Sequence, residues 1–212
     1  MNPQRLALYL VTDPVLCGSR GVEETCRLAL QAGVGTLQLR DKNASTRELV
    51  RMAEILRDLC RKTGALFIVN DRIDVALAVG ADGVHLGQDD MPVYIARKIL
   101  GPEIVIGASV RTPVEAERAW REGADYLAAN LIFPTDTKTD IGEPLGTEAI
   151  AELKSASPLP LIAIGGINAS NAEIVRKAGA DGIAVVSAIM AADDVPLAVA
   201  LLGTDHISST CG

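Results

Sequence analysis

One feature restricts the fold of this chain more than any other: a repeated alternation of two kinds of segment. Short aliphatic runs recur at residues 7–11, 35–39, 66–69, 83–86, 104–107, 126–129, 161–164 and 182–186. Each is followed by a polar turn and then by a segment of helical period. Most runs are apolar throughout, as expected of parallel strands buried on both faces. Between them, residues 46–62 place Leu49, Met52, Ala53, Leu56 and Leu59 on one helical face. Segments 72–79, 93–100, 113–122, 147–155, 172–178 and 196–202 follow the same logic. Thr112-Pro113 with Glu115 reads as a capped helix start, and Asn168 or Ser170 as another. Glycines close most helices, at Gly33, Gly64, Gly80, Gly101, Gly123 and Gly179.

Eight strands, each followed by a helix, imply an α/β fold of the (β/α)8 TIM-barrel type. It would be one compact domain over residues 1–203, with 204–212 a frayed polar tail. At 212 residues the chain is short for a fold that typically takes about 250, so its loops must be compact. An open doubly wound sheet is the alternative. An internal echo favours the barrel: Gly80-Ala81-Asp82-Gly83, Gly123-Ala124-Asp125-Tyr126 and Gly179-Ala180-Asp181-Gly182 all sit at helix-to-strand junctions. The segment before the first run is too short for a helix across the barrel bottom.

Net charge narrows the partners. At −7 the chain is a poor match for nucleic acid or an anionic membrane, although a pocket on it can still be locally positive. No apolar stretch approaches the ~18 residues of a membrane span, and the start lacks the pattern of a signal peptide. The expectation is a cytoplasmic protein acting on small phosphorylated molecules, with homo-oligomerisation left open. Cys17, Cys26, Cys60 and Cys211 are scattered without metal-ligand spacing and read as reduced structural thiols.

In a barrel, chemistry gathers at the C-terminal ends of the strands, and unusual polar residues stand there in this sequence. After the second run, alternation puts Gln38, Arg40 and Lys42 on one side, an amide and two cations suited to a diphosphate. Asn70-Asp71-Arg72 follows the third run and His85-Leu86-Gly87-Gln88-Asp89-Asp90 the fourth. Asp71 and Asp90 could share one Mg2+, a cation that takes a carboxylate or two and leaves its other positions to water and phosphate oxygens. The structural readings are a helix cap for Asp71, a turn residue for Asp89 and a satisfied core histidine for His85. Ser109 follows the fifth run, and Thr135-Asp136-Thr137-Lys138 the sixth. Gly165-Gly166-Ile167-Asn168 and Val186-Ser187 follow the last two, where this fold frequently holds phosphate. The pattern suggests two phosphorylated ligands meeting over one barrel mouth.

Read together, these motifs resemble the thiamine phosphate synthase family. The resemblance runs in order from Tyr9-Leu10-Val11-Thr12-Asp13 through Gln38-Leu39-Arg40-Asp41-Lys42, Asn70-Asp71-Arg72, Gly83 to Asp90, Gly107-Ala108-Ser109, Thr135 to Lys138, Ile164-Gly165-Gly166-Ile167 and Val186-Ser187. Any one motif is weak; the ordered set is specific. It implies a transferase that joins 4-amino-5-hydroxymethyl-2-methylpyrimidine diphosphate to 4-methyl-5-(2-phosphoethyl)thiazole, or its carboxylated form, giving thiamine phosphate and diphosphate. Mg2+ would assist diphosphate departure, and the thiazole nitrogen would capture the pyrimidine cation. Residue by residue, the resemblance implies that Gln38, Arg40, Lys42 and Asn70 hold the pyrimidine diphosphate. Asp71 and Asp90 would bind Mg2+. Ser109 and Lys138 would contact the pyrimidine or the departing diphosphate, so that Arg40, Lys42, Ser109 and Lys138 form the catalytic set. Thr135, Thr137, Gly166, Val186 and Ser187 would hold the thiazole phosphate. One departure stands out: Leu127-Ala128-Ala129-Asn130-Leu131 replaces the family's glycine-rich stretch after Asp125-Tyr126, adding bulk near the pocket floor. A thiazole tautomerase-like isomerase on the same barrel is the rival; it would work without metal and would need a base such as His85. A non-catalytic binder of the thiazole phosphate or the product is the third reading.

Overall fold

The computed structural model describes residues 2–135 and 142–203. Eight strands, β1 (Leu8–Val11), β2 (Thr36–Leu39), β3 (Leu66–Asn70), β4 (Gly83–Leu86), β5 (Val105–Val110), β6 (Tyr126–Asn130), β7 (Leu161–Ile164) and β8 (Gly182–Val185), form a closed barrel in sequence order. Every pairing is parallel, and β1 pairs with β8 to complete the ring. The open doubly wound sheet is thereby excluded. Around the barrel run α1 (Gly21–Gln31), α2 (Thr46–Thr63), α3 (Ile73–Val79), α4 (Val93–Leu100), α5 (Pro113–Glu122), α6 (Glu148–Ser155), α7 (Ala172–Lys177), α8 (Ser187–Met190) and α9 (Val195–Gly203).

The register sorts each strand into two faces. Outward residues such as Leu10, Leu37, Phe67, Val84, Ile106 and Ile183 join the apolar layer beneath the helices. Inward, Leu6, Tyr9, Val11, Ile68, Tyr126, Ala128, Ile162 and Ala184 fill the lower barrel. Higher on that inner face stand Gln38, Asn70, His85 and Ser109, each paired in register with its neighbours. The strands therefore alternate in chemistry although most read as continuous apolar runs.

Local signals explain two of the helix starts. Thr112 accepts a hydrogen bond from the Glu115 N–H with Pro113 at the first helical position. Ser45 and Glu48 form a reciprocal capping box on α2. Two expectations need correction. Strand five does not stop at Gly107 but runs to Val110, so Ser109 lies within β5; its hydroxyl is bonded inside the barrel, which removes the cost of a polar residue there. Neither Asn168 nor Ser170 caps α7: the Asn168 side chain bonds Ser170, and the helix starts at Ala172. The alternative reading of Asp71, a cap on α3, is removed as well and its reading as a metal ligand is left in place, because Arg72 precedes that helix and no side chain caps it.

The repeated Gly-Ala-Asp has a structural cause. The carboxylates of Asp82, Asp125 and Asp181 accept the Phe67, Ile106 and Leu161 N–H groups at 2.8, 2.8 and 2.7 Å. Each aspartate precedes an even-numbered strand and ties the start of the strand before it, while its own N–H bonds the carbonyl of the same residue. Gly33-Val34-Gly35-Thr36 is the matching junction before β2, with Gly35 at the aspartate position. There a side chain would collide with the Arg5 carbonyl. That carbonyl belongs to a 3-10 turn, Pro3–Leu6, whose buried Leu6 plugs the barrel bottom. A single turn thus does the work for which a helix looked too long.

Candidate active site

The strand C-termini open on a cavity of about 320 Å3. On one side it is lined by Gln38, Arg40 and Lys42, which follow one face of β2 into its loop. Thr12 fixes that loop: its hydroxyl donates to the Arg40 carbonyl and accepts the Arg40 N–H. Asn70 ends β3, and Asp71 follows with φ +60°, the one non-glycine residue with positive φ among those described. Aspartate tolerates this conformation better than most residues, yet it still costs on the order of 1 kcal/mol, so the surroundings must hold it. The Asp71 N–H donates to the His85 carbonyl at 2.9 Å. Arg72 turns away to Asp74 and Thr46.

Asp71 and Asp90 face each other. Asp90 is aimed by its own turn, one carboxylate oxygen taking the Gly87 N–H at 2.6 Å. Glycine at 87 permits this approach, since a Cβ there would lie 2.9 Å from the same oxygen. Burial, then the hydrogen bond and charge of Asp90, push the Asp71 carboxyl up to about 6, against the opposing pull of Lys42 and Arg40. Lys42 Nζ stands 3.8 Å from Asp71 Oδ2. Two like charges held together at a cavity wall suit a hard cation better than a buried ion pair. Among the described residues no group of three or more acidic, histidine or cysteine side chains is placed to hold a metal ion, so a cation here would need oxygens from elsewhere. Asp89 is exposed and lies in a turn at the rim of the cavity, as its sequence reading has it, and the carboxylate that bonds this turn is that of Asp90.

Across the mouth lie Thr135, Gly165, Gly166, Val186 and Ser187. Gly166 has φ +63°, and a Cβ would meet the Pro134 carbonyl at 2.5 Å, so only glycine fits. Asn171 Nδ2 holds the Gly166 carbonyl at 2.9 Å. A helix dipole contributes little here: α7 has six residues and α8 four, so an anion at this wall would rely on individual N–H groups and hydroxyls. Thr137 and Lys138 lie outside the described residues.

The structure brings together Gln38, Arg40, Lys42, Asn70, Asp71, Asp90, Ser109, Thr135, Gly166, Val186 and Ser187 in one cavity. It also adds lining residues that sequence reasoning passed over. Arg111 donates to the carbonyls of Asn130 and Glu143, holding both stems of the β6–α6 connection. It shares a side of the chain with Ser109, two residues earlier, a signal lost when strand five is ended too soon. Ala128, Asn130 and Leu131 line the floor. The Leu131 side chain fits because Gly165 beside it has no Cβ.

Comparison with known proteins completes the picture. A family model described as thiamine monophosphate synthase matches residues 8–189. The chain belongs to the thiamine monophosphate synthase family. It is 48% identical over 191 residues to the thiamine-phosphate synthase of Moorella thermoacetica, covering 90% of this chain and 91% of that one. It is 50% identical over 191 residues to the Chloroflexus aurantiacus thiamine-phosphate synthase, covering 90% and 88%. The solved thiamine phosphate pyrophosphorylase of Pyrococcus furiosus superposes with a TM-score of 0.86 at 46% identity, covering 94% and 95%. The family is one of transferases, and among the described residues no helix is long and apolar enough to cross a membrane.

Proposed function

We propose that this cavity joins 4-amino-5-hydroxymethyl-2-methylpyrimidine diphosphate to 4-methyl-5-(2-phosphoethyl)thiazole, releasing diphosphate and thiamine phosphate. The observation that carries the reading is the division of one cavity into two anion-ready walls: Arg40 and Lys42 beside the Asp71–Asp90 pair, and Gly166, Val186 and Ser187 opposite. Gln38, Asn70 and Ser109, which line the same cavity, would orient a heterocycle.

In the reaction, the bond from the pyrimidine methylene carbon to the diphosphate oxygen breaks, and its electrons leave with diphosphate. The thiazole nitrogen lone pair then forms the new carbon–nitrogen bond. Mg2+ bound by Asp71 and Asp90 would neutralise charge on the leaving group. Arg40 offers a bidentate fork, and Lys42 and Lys138 point charges, to the same oxygens. Thr135 and Thr137, with Gly166, Val186 and Ser187, would hold the thiazole phosphate. Because the thiazole nitrogen attacks as a free lone pair, no general base is required. His85 has both ring nitrogens bonded within the protein, to Tyr126 and Ser109, which supports the transferase over a histidine-dependent isomerase.

The test is turnover. Purified protein with both substrates should form thiamine phosphate with Mg2+ and stop with chelator. Asp71→Ala and Lys138→Ala should each lower the rate by orders of magnitude while the barrel stays folded. Metal-independent isomerisation of the thiazole, or binding without product, would replace the reading.

A further inference from the structure

At the inner wall of the cavity, five polar side chains, four of them lining it, are linked in series by hydrogen bonds. Gln38 Nε2 donates to the Tyr9 hydroxyl at 2.7 Å, and the Tyr9 and Tyr126 hydroxyls are 2.9 Å apart. The Tyr126 hydroxyl is 3.0 Å from His85 Nδ1, and His85 Nε2 is 3.0 Å from Ser109 Oγ. Both phenols are fully buried, and burial pushes both well above the ordinary tyrosine range, so each keeps its single proton. The chain crosses the barrel from β2 to β5, and both end residues line the cavity.

Single protons give such a chain a direction. The amide nitrogen only donates, so the Tyr9 oxygen accepts there and its proton goes to Tyr126. Tyr126 then donates to Nδ1 of His85. A neutral imidazole with a bare Nδ1 carries its proton on Nε2, which donates to Ser109 Oγ. The Ser109 proton, the Gln38 amide oxygen and the second Gln38 Nε2 hydrogen are what remain for the cavity, so the amide oxygen is the acceptor that the order of the chain leaves there. Reversing the central bonds alone would give the Tyr9 oxygen two donors and leave its own buried proton without an acceptor among the described residues. Reversal without loss requires turning the Gln38 amide and every link together.

We propose that Tyr9, Tyr126 and His85 are positioning residues that couple the two ends, so that the site presents an acceptor at Gln38 and a donor at Ser109 as a fixed pair. A ligand with a donor for the Gln38 oxygen and an acceptor for Ser109 matches the pair, as an aminopyrimidine edge does. Gly107 makes the room: a Cβ there would strike the Tyr126 ring and lie 2.6 Å from His85 Nδ1. The ligand assignment rests on the proposed function, whereas the direction of the chain does not.

The test begins with 15N-histidine spectra of the ligand-free full chain near pH 8, where imidazole is neutral. A His206→Gln variant identifies the His85 signals, since the chain has two histidines. The expected wild-type form is Nε2–H with bare Nδ1. Tyr126→Phe should collapse the difference between the two nitrogen shifts. It should also raise KM for the pyrimidine diphosphate about tenfold or more while KM for the thiazole phosphate stays within about twofold. Tyr9→Phe should raise the same KM yet preserve the wild-type tautomer, because Tyr126 still donates to His85. That variant and the wild-type spectrum decide the matter if Tyr126→Phe does not fold. His85 protonated on Nδ1 in the wild type, or an unchanged tautomer and KM in Tyr126→Phe, would overturn the proposal. Absence of thiamine phosphate formation would defeat the functional reading and leave the spectroscopic result to judge the chain.

Discussion

Asp71→Asn should make the metal-free protein more stable and nearly inactive, and the size of the gain follows from the site. Burial and Asp90 raise the Asp71 carboxyl from 3.8 to about 6. At roughly 1.4 kcal/mol per pH unit, holding it ionised in the folded chain near pH 7.5 costs about 3 kcal/mol. Its side chain is 24% exposed, so hydration and relaxation bring the expected gain to about 1–3 kcal/mol. Asparagine tolerates the φ of +60° at this position and can donate to Asp90, so the substitution adds no new strain. For a chain of this size the gain corresponds to a Tm rise of roughly 2–10 °C. The sign with pH is fixed. A folded pKa above the unfolded one gives stability that is complete below 3.8 and lost as pH rises through about 6. The advantage of the Asp71→Asn variant should therefore be full above about pH 6 and fade toward pH 4. Thermal unfolding with chelator across this range measures it. Added Mg2+ should narrow the gap by stabilising the wild type more, by about 1.4 kcal/mol at ten times its Kd. A destabilised variant, or a gain that does not vary with pH, would refute the carboxylate-repulsion argument.

Four further outcomes are expected. Asp125→Ala removes the Ile106 N–H acceptor and one of several partners of the Arg97 guanidinium, so chemical unfolding should show a loss of about 1–3 kcal/mol with KM for both substrates unchanged. Gly182→Ala sets a Cβ against the Leu6 carbonyl and should lower stability by about 1–3 kcal/mol, again without moving KM. Gly166→Ala combines a positive φ with a collision at the Pro134 carbonyl, and steady-state kinetics should show KM for the thiazole phosphate rising about tenfold or more while KM for the pyrimidine diphosphate holds. Gly107→Ala should displace Tyr126 from His85 and reproduce the Tyr126→Phe kinetics, provided circular dichroism shows the barrel intact.

The sequence alone carried the barrel, because its cause is local. Runs such as 83–86 and 161–164 are continuous and aliphatic, the segments between them have helical period, and glycines of positive φ close the helices at Gly33, Gly64, Gly80, Gly123 and Gly179. The site residues were legible for the same reason: in a parallel barrel, whatever polar residues follow the strands must share one end. The errors fell where a tertiary partner overrides a local signal. Ser109 looked like the end of a strand because nothing nearby in sequence reveals that His85, 24 residues earlier, will bond it. Arg111 was lost with it. The sequence already sets Asp71 beside Asp90, with a helix cap as the alternative, and the fold removes that alternative.

What tertiary structure decided, then, is which partners lie across the barrel. The alternation of Tyr9, Gln38, His85, Ser109 and Tyr126 onto one inner face depends on closure of β1 onto β8 and on the register of every pair between. The same closure makes the Gly-Ala-Asp repeat intelligible, since each aspartate bonds a strand that precedes its own by a whole helix. Sequence periodicity fixes which way a side chain points from its own strand. Only the assembled barrel fixes what it meets there, because hydrogen bonds and charge act over a few ångströms of space without regard to separation along the chain.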